Sequence, residues 1–158
     1  MLYYLVALVL KSLLWLRYRV KVTGLDEVVK GGRKGVLFLP NHPALIDPVI
    51  LSTVLAFKFR PRPLVDVKQV RGSMLKYIKG IVGVLELPDL GILGSVGKEK
   101  VLEQIGNCVE ALKAGDNLLM YPAGRLYRTR YEKLRGNGGV ERILNMYPDV
   151  RIVLVRTT

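Results

Sequence analysis

The chain has one cysteine, one histidine and 13 acidic residues, set against 25 lysines and arginines in 158 positions. A lone cysteine, Cys108, excludes an internal disulfide framework, and no zinc-type spacing accompanies it. Cys108 falls inside a helical pattern and reads as a buried core thiol, compatible with a reducing, cytosolic setting. There is no Gly-x-Ser-x-Gly elbow, which removes the usual signature of a seryl acyl-enzyme. Repeats and low-complexity tracts are absent. No uninterrupted apolar run reaches the roughly 20 residues that a membrane-spanning helix needs.

What is present is an oily and basic chain. Half of it is apolar and its mean hydropathy is +0.26, enough for one compact core, yet the formal net charge is +12. That combination points first to an anionic membrane surface. Nucleic acid is the other usual partner of such charge. It is not expected here, because the sequence has no zinc-finger spacing, aromatic-rich RNA-binding strand or basic heptad helix.

Residues 2–16 are almost wholly apolar, broken only by Lys11 and Ser12. As a helix this segment is roughly 22 Å long, short of a hydrocarbon core of about 30 Å. It lacks the leading basic residue and small-residue cleavage site of a signal peptide. Arg17, Arg19 and Lys21 follow, as at the cytoplasmic edge of a membrane segment. The expectation is therefore a membrane-associating helix over residues 1–17, embedded in one leaflet on the cytoplasmic face with Lys11 snorkelling. A core helix of the domain is the alternative.

The rest alternates strand and helix patterns, which predicts an α/β fold with a central mixed sheet flanked by helices. Strands are expected at 19–23, 35–39, 63–67, 83–87, 117–121 and 151–156. Helices are expected at 48–57 with Asp47 as N-cap, at 72–79, at 96–114 and at 140–146. In the helix at 96–114, Leu102, Ile105, Val109 and Leu112 are assigned to one face. The chain stops at Thr158, directly after an apolar strand, which reads as a truncated C-terminus.

His42 lies between a buried strand and a helix, a usual place for catalytic groups in α/β folds. Asp47 follows five positions later, where a turn brings its carboxylate to the imidazole, fixing the tautomer and favouring the imidazolium. Asn41 is suited to brace that turn through backbone hydrogen bonds, and Pro43 and Pro48 stiffen it. Without a nucleophilic serine or cysteine, His42 would act as general base on a substrate hydroxyl, with a thioester as the activated donor. Each residue also has a structural explanation: Asp47 as a helix cap, His42 as a satisfied structural side chain.

The segment Asn41-His42-Pro43-Ala44-Leu45-Ile46-Asp47-Pro48 resembles the Asn-His-x4-Asp motif of the glycerolipid acyltransferases, the lysophosphatidic acid acyltransferase superfamily. Other landmarks fall in the family's order. Lys68 lies where these proteins often carry a lysine, and residues 83–89 (Gly-Val-Leu-Glu-Leu-Pro-Asp) stand in place of Gly-x-Ile-Phe-Ile-Asp-Arg. Tyr121-Pro122-Ala123-Gly124 resembles Phe-Pro-Glu-Gly, and residues 152–155 resemble the last apolar strand motif. The resemblance runs from about Val22 to the end and implies that His42 and Asp47 are catalytic; the acyltransferase domain is assigned to residues 18–158, with Asn41, Lys68, Tyr121, Gly124 and Arg125, and Arg71 of a basic cluster, expected to bind substrate.

Two departures stand out: the family's Glu is Ala123 here, and its Arg aligns with Asp89. Both family residues are associated with a glycerol phosphate acceptor, so plain lysophosphatidic acid is in doubt. Arg125 offers a bidentate fork for a phosphate instead. The Tyr-Pro-Ala-Gly-Arg variant is similar to acyltransferase modules beside or fused to acyl-carrier-protein synthetases. Two basic clusters, 58–79 and 125–135, suit lipid phosphates, an acidic carrier protein or the phosphates of coenzyme A.

The expected reaction moves an acyl group from acyl-CoA or an acyl carrier protein, as co-substrate, to a lysophospholipid hydroxyl at the membrane. No metal or resident cofactor is expected. The rival readings are a catalytically silent membrane-binding module and a lipid esterase or thioesterase.

Overall fold

A computed structural model of the chain describes residues 1–66, 80–87, 94–127, 129, 131, 132, 134 and 138–158. In chain order the elements are α1 (Leu2–Arg17), α2 (Leu25–Lys30), β1 (Val36–Pro40), α3 (Asp47–Leu55), β2 (Arg62–Asp66), β3 (Leu85–Leu87), α4 (Gly94–Lys113), β4 (Leu118–Leu119), α5 (Gly139–Met146) and β5 (Arg151–Val155). The five strands form one sheet in the order β3-β2-β4-β1-β5.

Every described strand pairing is parallel, so the expected mixed sheet is corrected to a parallel one. The reason is connectivity: α3, α4 and α5 each cross over between successive strands, and such helical crossovers return the chain in the same direction. The strand expected at 19–23 does not form. Its alternation finds no ladder partner, and Val22 stays exposed. The helix α2 was not foreseen; it occupies one and a half turns between Gly24 and Gly31, with Asp26 and Glu27 in its first turn and Lys30 in its last. The helix expected at 72–79 lies outside the described residues.

β1 runs between β4 and β5 and is buried along its whole length, which is why its sequence reads as a continuous apolar run rather than an alternation. Val36 and Phe38 face one side, with Leu51, Leu55 and Phe59 and the partly buried Leu25, Val28 and Val29 of α2. Leu37 and Leu39 face the other, with Ile105, Cys108, Val109 and Leu112 of α4 and Ile143 of α5. Each fully buried Leu or Phe of this type contributes about 1.5–3 kcal/mol. Leu102 is not on that face: it is exposed, and Val101 and Cys108 complete the stripe instead. Gly35, at φ 66°, enters β1 where a Cβ would lie 3.0 Å from the carbonyl oxygen of Leu112, so a side chain there would collide with the end of α4.

One polar side chain ties the N-terminal ends of three strands. Asn117 is buried and its Oδ1 accepts from the Val36 N–H at 3.0 Å. Its Nδ2 donates to the carbonyls of Arg33 at 2.8 Å and Phe59 at 2.5 Å. The helix α1 packs on α3, burying Tyr3 and Ala7 against Ala56. Leu2, Leu5, Val9, Leu13 and Leu16, spaced by three and four residues, remain exposed as a stripe away from that contact. Among the described residues, no helix is long and apolar enough to cross a membrane.

Candidate active site

The chain leaves β1 toward β2 on one side of the sheet and leaves β4 toward β5 on the other, because β4 and β1 are neighbours in the middle of the order. Such a reversal opens a crevice beyond the carboxyl ends of the two strands. His42 follows β1 and Tyr121 follows β4, so both stand at that crevice. Their rings lie 4.2 Å apart between centroids, tilted by 35°.

The turn from β1 into α3 is fixed residue by residue. The Asn41 N–H donates to the Val155 carbonyl at 3.2 Å. Its side chain grips Thr157 in both directions, accepting from the Thr157 N–H at 2.6 Å and donating to the Thr157 carbonyl at 2.9 Å. Asn41 is thus a brace between β1 and the segment after β5, where bracing of the 42–47 turn itself was expected.

Asp47 is buried and is the first residue of α3, with Ile46 as N-cap and no side-chain capping bond. The expected capping role is therefore corrected. The Asp47 carboxylate turns back, accepting the Ala44 N–H at 2.7 Å, and its Oδ2 stands 3.6 Å from His42 Nδ1. That separation is just beyond hydrogen-bond length, so His42 Nδ1 is buried without a hydrogen-bond partner while an acceptor faces it. A proton on Nδ1 directed at Asp47 leaves Nε2 as the basic nitrogen.

Tyr121 begins the turn Tyr121-Pro122-Ala123-Gly124, closed by a bond from the Gly124 N–H to the Tyr121 carbonyl at 3.0 Å, with Gly124 at φ 64°. The Tyr121 hydroxyl is buried and without a hydrogen-bond partner among the described residues. Burial, then the carboxylates of Asp47 and Glu132, push its pKa far above the usual phenol range, so it stays protonated as a donor. Arg125 is exposed. Its Nε donates to the Tyr127 hydroxyl at 2.9 Å and its guanidinium lies 5.1 Å from the centre of that ring. The Tyr127 N–H in turn donates to the His42 carbonyl at 3.0 Å.

His42, Asp47, Asn41, Tyr121, Gly124 and Arg125 therefore gather at one end of the sheet. Lys68 and Arg71 lie outside the described residues. One residue at this site was not singled out from the sequence: Glu132, whose carboxylate accepts the His42 N–H. It sits ninety positions from His42 in a basic stretch of sequence, and nothing in local spacing marks it.

Among the described residues no group of three His, Cys, Asp or Glu is arranged to hold a metal ion. A cavity of about 290 Å³ lies at the opposite end of the strands, lined by Arg33, Lys34, Lys58 and Arg60 with Tyr4 and Phe57. It touches none of the six residues gathered around His42.

An imidazole with a carboxylate facing one nitrogen at the carboxyl ends of the strands is suited to general-base chemistry on a hydroxyl. No curated protein matches the sequence. The family model described as acyltransferase matches residues 19–155, a span that takes in the His42 turn, the Tyr121 turn and all five strands, and the chain belongs to the acyltransferase family.

Proposed function

We propose that this acyltransferase moves a fatty acyl group from a thioester, acyl-CoA or an acyl carrier protein, to a hydroxyl of a lysophospholipid, with His42 as general base. The observation that carries the proposal is the His42–Asp47 pair: Nδ1 is buried, unbonded and faced by a carboxylate at 3.6 Å, beside the crevice between β1 and β4. His42 Nε2 removes the proton from the acceptor hydroxyl as its oxygen attacks the thioester carbonyl. The tetrahedral intermediate collapses by breaking the carbon–sulfur bond, and the imidazolium returns the proton to the leaving thiolate. Asp47 stabilises the imidazolium between those two transfers. The chemistry uses no resident cofactor, and the acyl group never resides on the protein.

The setting proposed is the cytoplasmic face of a membrane. The exposed apolar stripe of α1 supports this, as do Lys11 on the same helix and the four cations around the cavity next to Tyr4. Arg125 is assigned to the acceptor phosphate, because its exposed guanidinium is anchored through Tyr127 to the His42 peptide.

The test is product analysis with a labelled acyl thioester and lysophospholipid in vesicles, comparing the protein with His42→Ala. Labelled diacyl product that falls about 10²–10⁴-fold in the variant is expected. Release of free labelled acid instead would make the protein a thioesterase. No product of either kind from folded, vesicle-bound protein would make it a silent binding module, a reading that Ala123 in place of the family's Glu favours.

A further inference from the structure

We propose that Glu132 is a positioning residue for the base: with Tyr127 it clamps the His42 peptide. Asn41 still bonds the Val155 carbonyl and Ile46 accepts the first bonds of α3, but His42 between them lies in neither helix nor strand, and its peptide groups pair with neither element. Those groups need partners from elsewhere. For His42 both come from a single stretch of chain. Its N–H donates to the Glu132 carboxylate, and its carbonyl accepts from the Tyr127 N–H at 3.0 Å.

Three further observations give the clamp a functional meaning. Glu132 is half-buried beside the site and, after burial and Asp47, adds to the upward pKa shift of Tyr121, whose ring centre lies 4.2 Å from that of His42. Ala123 leaves the 121–124 turn without a carboxylate, and Glu132 brings one to the same crevice from farther along the chain. The clamp also carries Arg125, whose guanidinium donates to the Tyr127 hydroxyl. Capture of an acceptor phosphate by Arg125 and orientation of the imidazole then rest on the same segment. A base displaced by as little as about 1 Å from its substrate loses on the order of 100-fold in rate. A charged acceptor on a backbone N–H is a stronger restraint than a neutral one.

The kinetic half of this inference rests on the acyl-transfer reading; the structural half does not. The experiment compares the full chain with Glu132→Ala and Glu132→Gln. In Glu132→Ala the His42 amide should exchange with solvent about 10- to 100-fold faster, the loss expected for a charged hydrogen bond. The ring signals of His42, unambiguous because it is the only histidine, should shift or broaden. In the transfer assay kcat should fall about 10- to 100-fold with the acceptor KM within about threefold. Glu132→Gln, whose side-chain oxygen accepts the same bond without the charge, should lie between the original and Glu132→Ala in amide protection and in kcat.

Unchanged amide exchange and ring signals in Glu132→Ala would overturn the clamp. Faster exchange with unaltered kcat would also overturn it, since Glu132 would then hold the turn without serving the base. A loss confined to the acceptor KM would make Glu132 a substrate contact instead. If the unaltered protein transfers no acyl group, the functional reading fails while amide exchange and ring signals still decide the clamp.

Discussion

Replacement of Asp47 by Asn separates the two things its carboxylate does. One oxygen accepts the Ala44 N–H at 2.7 Å, and an amide oxygen performs that task equally well. The same carboxylate faces His42 Nδ1 at 3.6 Å, and only a negative charge stabilises an imidazolium there. Two unit charges at that distance attract by roughly 4–5 kcal/mol at an effective dielectric constant of about 20. Discounting for the neutral Nδ1–H interaction that Asn retains, the imidazolium should lose about 3–4 kcal/mol, or about 10²–10³-fold in kcat. Stability should change little, by less than about 1 kcal/mol, because the Ala44 bond survives and Asp47 makes no capping bond. The assay is acyl transfer at saturating substrate beside urea denaturation of the same preparations. Turnover within about threefold of the original, or a stability loss of several kcal/mol that accounts for the lost activity, would refute the charge-stabilisation argument.

Asn117→Ala should cost about 3 kcal/mol or more by urea denaturation, since it strands the fully buried Val36 N–H and two backbone carbonyls. Arg125→Ala should raise the acceptor KM with little change for the thioester, and Arg125→Lys should not rescue fully because the fork is lost; steady-state kinetics with each substrate varied in turn decides this. Burial pushes the Cys108 thiol up from 9.0 to about 11, opposed by Arg62, so Cys108 should resist thiol reagents at pH 8 until urea unfolds the chain. The fold favours the protonated thiol, so this contribution to stability is intact below about pH 9 and is lost as pH rises toward about 11, as denaturation across that range will show. Leu5→Glu with Leu13→Glu, both on the exposed stripe of α1, should release the protein from anionic vesicles in a sedimentation assay while leaving its melting temperature within a few degrees.

Elements that carry their own punctuation were legible in the sequence. β1 is a buried run ending at Pro40, α4 has a 3.6-residue stripe ending before Gly115, and α5 and β5 differ from expectation by a single residue. Strand direction was not legible, because parallel and antiparallel strands with both faces buried share the same composition, and only the crossovers distinguish them. The strand expected at 19–23 failed for a related reason: alternation describes a half-buried surface only if a neighbouring strand exists. At the site, His42, Asp47 and Asn41 stood out because a single turn joins them. Glu132 was invisible because its partner is a backbone N–H ninety positions away, and a backbone partner leaves no trace in residue type.

The two ends of the sheet are finished differently, and the difference separates stability from chemistry. At the N-terminal ends of β1, β2 and β4, Asn117 satisfies three backbone groups with one side chain and leaves no buried polar atom of its own unbonded. At the C-terminal ends of β1 and β4 the described residues leave two buried polar atoms without hydrogen bonds, His42 Nδ1 and the Tyr121 hydroxyl, on rings 4.2 Å apart. A buried polar group left unpaired costs about 1–3 kcal/mol, so two at one place is a local sacrifice of stability. Several backbone groups around them are, by contrast, held: the Asn41 N–H by Val155, the Ala44 N–H by Asp47, and the His42 peptide by Glu132 and Tyr127. Of the two, Nδ1 is faced by the Asp47 carboxylate, and only the Tyr121 hydroxyl is left for a bound molecule to complete. In the proposed reaction the Tyr121 hydroxyl, kept protonated by burial and two carboxylates, would donate to a substrate oxygen, and Nδ1 would meet Asp47 when the imidazole becomes charged.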